Sequence, residues 1–235
     1  MTTTLITGSN KGLGHEAARQ LIAAGHIVYL GARDPERGRR AAERLGARFV
    51  QLDVTDDASV AAAAKTIEAD GGLDILVNNA GIEGRTPGNT VIGPADETAG
   101  HMQALFDTNV FGMVRVLHAF LPLLQHSAAP VVVNLSSGLS KTADLADPGS
   151  PVHFYPGVAY PASKTAVNTV TVQYAKAFPG IKINAVDPGY TATDLNGGTG
   201  TQTVEEGAAV IVRMAQTGPD GPTGGYFDAN GPVAW

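Results

Sequence analysis

Three glycines fall within seven positions of Thr7-Gly8-Ser9-Asn10-Lys11-Gly12-Leu13-Gly14, directly after a short apolar run, Thr3–Thr7, and before the helical periodicity of Gly14–Ala24. A strand that turns through such a loop into a helix is suited to phosphate. The first N–H groups of the helix have no partner, and its dipole favours an anion. Gly8 permits the tight turn, Gly12 lets the backbone approach a pyrophosphate, and Gly14 lets the helix pack closely on the strand. The bland reading is a glycine-rich turn with no ligand. Because this loop joins a first strand to a first helix, nucleotide binding is the stronger reading, with Gly8, Asn10, Lys11, Gly12, Leu13 and Gly14 as the expected contacts.

The rest of the chain continues the alternation. Short β-rich runs, Thr3–Thr7, His26–Gly31, Ala47–Leu52, Leu73–Asn78, Pro130–Leu135, Lys182–Val186 and Gly224–Asp228, are separated by helical patterns at Gly14–Ala24, Pro35–Leu45, Ala58–Ala69, Gly100–Gln125, Val158–Phe178 and Val204–Gln216. This order predicts βαβ units in a doubly wound α/β Rossmann fold: one parallel sheet of about seven strands with helices on both faces. Pro122 is expected to end or bend the fourth helix, since proline cannot donate the bond a helix interior needs. Ile82–Glu97, Leu139–Gly157 and Tyr190–Thr203 read as irregular. All three follow strands, so they should gather at the ligand side of the sheet.

Composition narrows the class. With 235 residues, 43% hydrophobic and 16% charged, the chain reads as a single domain over residues 1–235. The net charge of −6 argues against nucleic acid or an anionic membrane as partner. No segment is expected to reach the length of a membrane span. The absence of cysteine excludes disulfides and thiol chemistry and, with no basic, apolar leader at the start, predicts a cytoplasmic location. The six histidines lack ligand spacing, so no metal is expected.

After the second strand the chain reads Leu30-Gly31-Ala32-Arg33 where an NAD-binding protein usually places an acid for the ribose. Arg33 and Lys11 together suit a 2′-phosphate, which points to NADP(H). Asp34 leaves NAD(H) open, since a two-residue slip would bring an acid to the ribose. After the third strand, Asp53 is expected at the adenine amino group, or as a cap of the following turn, with Val54 over the ring. Asn79, Ala80 and Gly81, ending the fourth strand, let the chain pass close to a flat ligand, while Asn78 and Asn79 also satisfy turn backbone.

Tyr160 and Lys164 lie four positions apart at the start of a helical stretch, so a phenol and an ammonium share one face. An ammonium nearby should bring a phenol's pKa toward the working range and make it an acid-base catalyst. Together, Thr7–Gly14, Asn78-Asn79-Ala80-Gly81, Asn134-Leu135-Ser136-Ser137 and Tyr160-Pro161-Ala162-Ser163-Lys164 resemble the short-chain dehydrogenase/reductase superfamily. Asn10-Lys11, Ala32-Arg33-Asp34 and the ending Gly224–Asp228 with Trp235 look like its NADPH-dependent carbonyl reductase branch.

The resemblance implies Tyr160 as general acid and Lys164 as the ribose-binding lysine that lowers its pKa. It implies Ser137, with Ser136 as alternative, at the substrate carbonyl, and Asn109 holding a water of the proton relay. Pro188 and Gly189 then flank the nicotinamide, with Thr191 and Thr193 at its carboxamide or at phosphates. Ser137 and Tyr160 are further apart than is usual in the family. Asp144–Pro156 is the insertion, as in the larger monomeric carbonyl reductases, which leaves monomer or homo-oligomer open. Leu139, Phe154, Tyr155, Tyr190 and Leu195, beside Ser137 and Tyr160, make the expected mouth apolar and favour a bulky or aromatic small-molecule carbonyl. The implied reaction is reversible hydride transfer from NADPH to a ketone or aldehyde. The rivals are an NAD-linked alcohol or sugar dehydrogenase and a non-catalytic NADP(H)-sensing regulator.

Overall fold

Ile27–Ala32, Ile75–Asn78 and Val131–Leu135 are apolar along almost their whole length, as strands of a sheet covered on both faces require. In the computed structural model, which describes residues 1–235, strands β1 (Thr3–Ile6), β2 (Ile27–Ala32), β3 (Arg48–Gln51), β4 (Ile75–Asn78), β5 (Val131–Leu135), β6 (Lys182–Val186), β7 (Tyr226–Asp228) and β8 (Gly231–Val233) form one sheet. Its order is β3-β2-β1-β4-β5-β6-β7-β8. The first seven strands are parallel and β8 runs antiparallel to β7. The expected fold is therefore present with one strand more than the sequence implied. β8 is short and holds Gly231 and Pro232, and proline is tolerated there only because the strand is an edge.

The helices are α1 (Gly12–Ala23), α2 (Pro35–Leu45), α3 (Asp57–Ala69), α4 (Ala99–Phe106), α5 (Gly112–His126), α6 (Thr142–Ala146), α7 (Ala159–Ala177) and α8 (Val204–Ala215). Because side chains alternate along a strand, Leu5 and Tyr29 face one layer while Ile6, Val28 and Leu30 face the other. The first layer holds α3, α5 and α7 through Val60, Ile67, Leu117, Phe120 and Val167. On the opposite face, α1 and α8 pack through Ala17, Leu21, Val210 and Ile211, and α2 through Ala41 and Ala42.

Three expectations need correction. Pro122 does not end its helix, which runs on to His126. The ring sits on the solvent side, where the carbonyl it frees can be hydrated, while Leu123 and Leu124 pack inward. A π turn, Asp107–Phe111, separates α4 from α5. The whole run Ala99–His126 spans 28 residues and contains an 18-residue window of mean hydropathy 1.2, long and apolar enough by composition to cross a membrane, contrary to the expectation from sequence. Here its apolar stripe is buried against the sheet. Lastly, Leu139–Gly157 is not irregular: it contains α6 and 3-10 turns at Gly138–Ser140 and Pro151–Phe154. Lys141 and Asp144 pair at 2.5 Å across α6, and His153 Nδ1 bonds Leu145 O at 2.9 Å.

A buried polar chain holds α7 on the sheet. Asn78 Nδ2 donates to Asn134 Oδ1 and Asn134 Nδ2 donates to Thr171 Oγ1, both at 2.9 Å, and Thr171 donates to Val167 O at 2.8 Å. Asn134 is fully buried. Asn134→Ala should therefore leave the Asn78 amide without an acceptor and cost about 1–3 kcal/mol of stability. Urea denaturation of both proteins would measure it, and an unchanged midpoint would refute the role given to this chain.

Candidate active site

Gly8 and Gly12 adopt φ of 63° and 60°, a left-handed conformation that side chains disfavour. A Cβ on Gly8 would also lie 2.9 Å from Ala80 Cα, so the loop after β1 and the loop after β4 must touch. They are stitched together by Thr7 Oγ1, which accepts from Asn79 N and Ala80 N at 3.0 Å each. Asn79 Nδ2 donates to Thr7 O and Gly8 O at 2.8 and 3.1 Å. Asn79 thus satisfies turn backbone, as one of the two expectations had it. Helix α1 begins with no capping side chain, whereas α2, α3 and α8 are capped by Asp34, Asp56 and Thr203. Its free N–H groups fit an anionic ligand. Gly81 completes the cradle. A Cβ there would lie 3.3 Å from Asn109 Oδ1 and 3.7 Å from Lys164 Nζ, so the missing side chain keeps the ground beside Lys164 open.

At the ribose end, Arg33 is exposed, and Asp34 Oδ1 accepts from Glu36 N and Arg37 N at 3.0 Å each. Those bonds hold the Asp34 carboxyl below its usual range. Lys11 pairs with Asp194 at 2.9 Å, both exposed. Asp53 Oδ1 takes the cap role, accepting from Thr55 N and Thr55 Oγ1 at 3.0 and 2.8 Å. Val54 is packed into the core, where Gly112 lies against it, rather than held open over a ring. The segment after β6 is also more committed than expected. Asp187 Oδ1 accepts from Gly189 N at 2.9 Å, and Gln202 bonds Pro188 O. Thr191 is buried, with its hydroxyl on Pro188 O at 3.2 Å and receiving Gln202 Nε2 at 2.8 Å, so it is turned away from the cleft. Thr193 lies over Gly12.

Tyr160 and Lys164 occupy the first turns of α7 and are both buried. Lys164 Nζ donates to Leu135 O at 2.8 Å and sits 5.5 Å from the Tyr160 ring centroid. Ser137 is the serine next to the Tyr160 phenol, where its hydroxyl favours the ionised form. Ser136 is turned inward to Asn168 Oδ1 at 2.5 Å, so Ser137 is the serine that faces the tyrosine. Asn109 lies in the π turn, a distortion common at functional sites. Its side chain accepts from Ile82 N and donates to Ile82 O, both at 2.8 Å, and to Ser163 Oγ at 3.1 Å. That amide thus ties the backbone at Ile82 to Ser163 of α7.

Burial, not the lysine, governs the phenol here. It pushes Tyr160 far above the ordinary tyrosine value, and the charges of Glu83 and Asp187 act the same way, with only the neighbouring Ser137 hydroxyl opposing. Burial likewise pushes Lys164 down to about 8, against the attraction of Asp187. The expectation of a lowered phenol pKa is thus reversed in the protein alone, since desolvation penalises phenolate and ammonium alike.

Of the expected pocket residues, Leu139 packs against Tyr160 beside Met102, Leu105 and Ala159. Phe154 is 76% exposed and edges onto His153, facing outward. Tyr190 and Leu195 are also exposed, with Tyr190 Oη on Thr199 Oγ1 at 2.5 Å. Tyr155, expected at the mouth, does border a narrow crevice at Tyr160, together with Glu83, Val91, Ile92 and His101. Glu83 and His101 carried no spacing signal in the sequence. A surface cavity of about 160 Å³, around Pro130, Pro179 and Lys182, borders none of these residues.

A sheet of this order with Tyr160, Lys164 and Ser137 over its carboxyl ends defines a nucleotide-dependent oxidoreductase architecture, and the comparisons agree. Residues 2–204 match the family model for short chain dehydrogenase. The chain belongs to that family of oxidoreductases, whose cofactors are nicotinamide nucleotides. It is 32% identical to (+)-neomenthol dehydrogenase of Capsicum annuum, over 95% of this chain and 94% of the relative. Among solved structures it resembles salutaridine reductase of Papaver somniferum, with TM-score 0.83 and 29% identity over 96% of this chain and 99% of that one. It also resembles NADPH-bound carbonyl reductase from chicken fatty liver, with TM-score 0.86 and 27% identity over 100% and 99%.

Lys164 makes the site costly in a way that depends on pH. Its pKa lies near 8 folded against 10.5 for a free lysine. The unfolded chain therefore holds the extra proton between those values, and this group's contribution to stability should rise as pH climbs through that window. Lys164→Met should lack that rise. Stability measured from pH 7 to 11 for both proteins would show parallel curves if the lysine were not desolvated.

Proposed function

We propose that this protein is a cytoplasmic NADPH-dependent reductase of neutral, apolar ketones or aldehydes, able to run the reverse alcohol oxidation. The observation that carries the reading is a buried tyrosine, Tyr160, whose ring lies 5.5 Å from the ammonium of an equally buried Lys164 that is held by Leu135 O at the end of β5. The nicotinamide, when bound, supplies the hydride. Ser137 and Tyr160 then offer two hydroxyls to one carbonyl oxygen, so the charge that develops there is stabilised by donors already in position. Tyr160 delivers its proton to that oxygen, and Lys164 holds a ribose and provides positive charge that offsets the burial of a phenolate. Asn109 keeps the chain after β4 against α7, which preserves the open ground at Gly81.

NADP(H) is favoured over NAD(H) because Asp34 is engaged as a helix cap while Arg33 beside it is exposed. Gly8, Asn10, Gly12, Leu13 and Gly14 would receive the phosphates, with Thr193 over Gly12. Asn79, Ala80, Gly81, Pro188 and Gly189 would flank the remaining length of the cofactor. The NADPH-bound carbonyl reductase among the similar structures supports the same choice. An apolar substrate agrees with Leu139, Val91 and Ile92 near Tyr160, and no nucleic acid or membrane partner is needed.

Tyr160→Phe should retain NADPH binding and lose about a hundredfold or more in turnover, because it removes the proton donor and little binding surface. Steady-state rates on an activated ketone, with NADPH affinity from fluorescence, would test this, and near wild-type turnover would overturn the assignment. Arg33→Ala should weaken NADPH by about tenfold to a hundredfold and leave NADH nearly unchanged, as for a charge-assisted contact. Equal losses with both cofactors would return the choice to NAD. Tight NADPH binding with no reduction of a broad carbonyl panel would favour the sensor.

A further inference from the structure

Glu83 is a buried carboxylate that the reaction above does not use. It stands two residues past Gly81, borders the crevice at Tyr160, and uses each oxygen for a different loop. Oε1 accepts from Tyr155 Oη at 2.9 Å, and Oε2 accepts from Arg85 Nε at 2.7 Å. Tyr155 belongs to the segment between Ser137 and α7. Arg85 belongs to the loop after β4, where its Nη1 donates to Asn89 O at 2.8 Å and it pairs with Val91 across an antiparallel bridge. The tip of that hairpin, Asn89 at φ 61°, lies against Gly197 of the loop after β6. Tyr155 and Val91 in turn close on Gly157, where a Cβ would come within 2.7 and 2.8 Å of them. One side chain thus ties together the loops that wall the crevice.

We propose that Glu83 is a positioning and specificity-determining residue: its carboxylate clasps Tyr155 and Arg85 together as the wall of the substrate pocket facing Tyr160. The inference rests on the reductase reading above. It explains why a buried anion is kept beside a tyrosine whose phenolate it disfavours, since the clasp needs an acceptor with two separate oxygens and Arg85 compensates the charge. Tyr155 lines the crevice beside Val91 and Ile92, so the wall it helps form is largely apolar.

The test compares wild type, Glu83→Gln and Tyr155→Phe with NADPH and a bulky apolar ketone. Glu83→Gln keeps an acceptor but loses the charge-assisted bond, and KM should rise about tenfold. The acid limb of alcohol oxidation should also move down by about half to one pH unit, because one anion facing Tyr160 is gone. Lys164 on the same helix, Asp187 after β6, the Tyr155 phenol, Arg85 and the Glu97–His101 pair at the crevice are unchanged in that variant. Tyr155→Phe should raise KM alone. A KM or a limb unmoved by Glu83→Gln overturns the proposal. Limited proteolysis within residues 144–157 gives a readout independent of turnover. If the wild type reduces no carbonyl, the reductase reading falls and proteolysis decides the clasp: several-fold faster cutting in both variants upholds it, and equal cutting overturns it.

Discussion

The attachment of α7 to the end of β5 is the constraint on which the site depends. Lys164 reaches Leu135 O, Ser136 reaches Asn168, and Asn134 reaches Thr171, so three successive residues of one strand end grip one helix. Shifting α7 by a single residue would break all three bonds at once and bury their polar groups unpaired, which is more costly than the loss of any one. The register that places Tyr160 against Ser137 is therefore a by-product of polar groups that must be satisfied where the sheet is covered on both faces.

The same economy appears on the cofactor side. Thr7 and Asn79 close the gap between the loops after β1 and β4, and Asn109 closes the gap between the loop after β4 and α7. Each uses a side chain to satisfy backbone groups that loops cannot pair among themselves. Rigid loops leave a cleft whose shape is set before a ligand arrives, and pre-formed shape is what a hydride-transfer site needs, since the reacting atoms must be held close and aligned.

Burial also sets the electrostatics. A phenol pushed up and an ammonium pushed down make a pair that resists ionising in the protein alone. Two carboxylates, Glu83 and Asp187, remain within reach of Tyr160, and both are bound to donors that justify their burial. The chemistry of the site thus depends on charge that the surrounding loops and a cofactor add, more than on the tyrosine and lysine taken as a pair.

Local pattern carried much of this protein. The glycine loop, the seven parallel strands and the long helices follow from turn chemistry and from the period of apolar residues, because those depend on neighbours in sequence, and Pro35–Leu45 and Lys182–Val186 have the same bounds in the fold. Helical spacing paired Tyr160 with Lys164, and the resemblance to the family's motifs added Ser137, since a strand end and a helix start are fixed points of the architecture. Only the tertiary structure decided that Asp34 caps a helix, that Thr191 turns inward, that Phe154 faces water while Tyr155 faces the tyrosine, and that Pro122 is tolerated. Each of those depends on what lies across from the residue. Glu83 is the clearest instance: nothing near it in sequence marks it, and its role exists only because Tyr155, 72 positions away, folds back onto it.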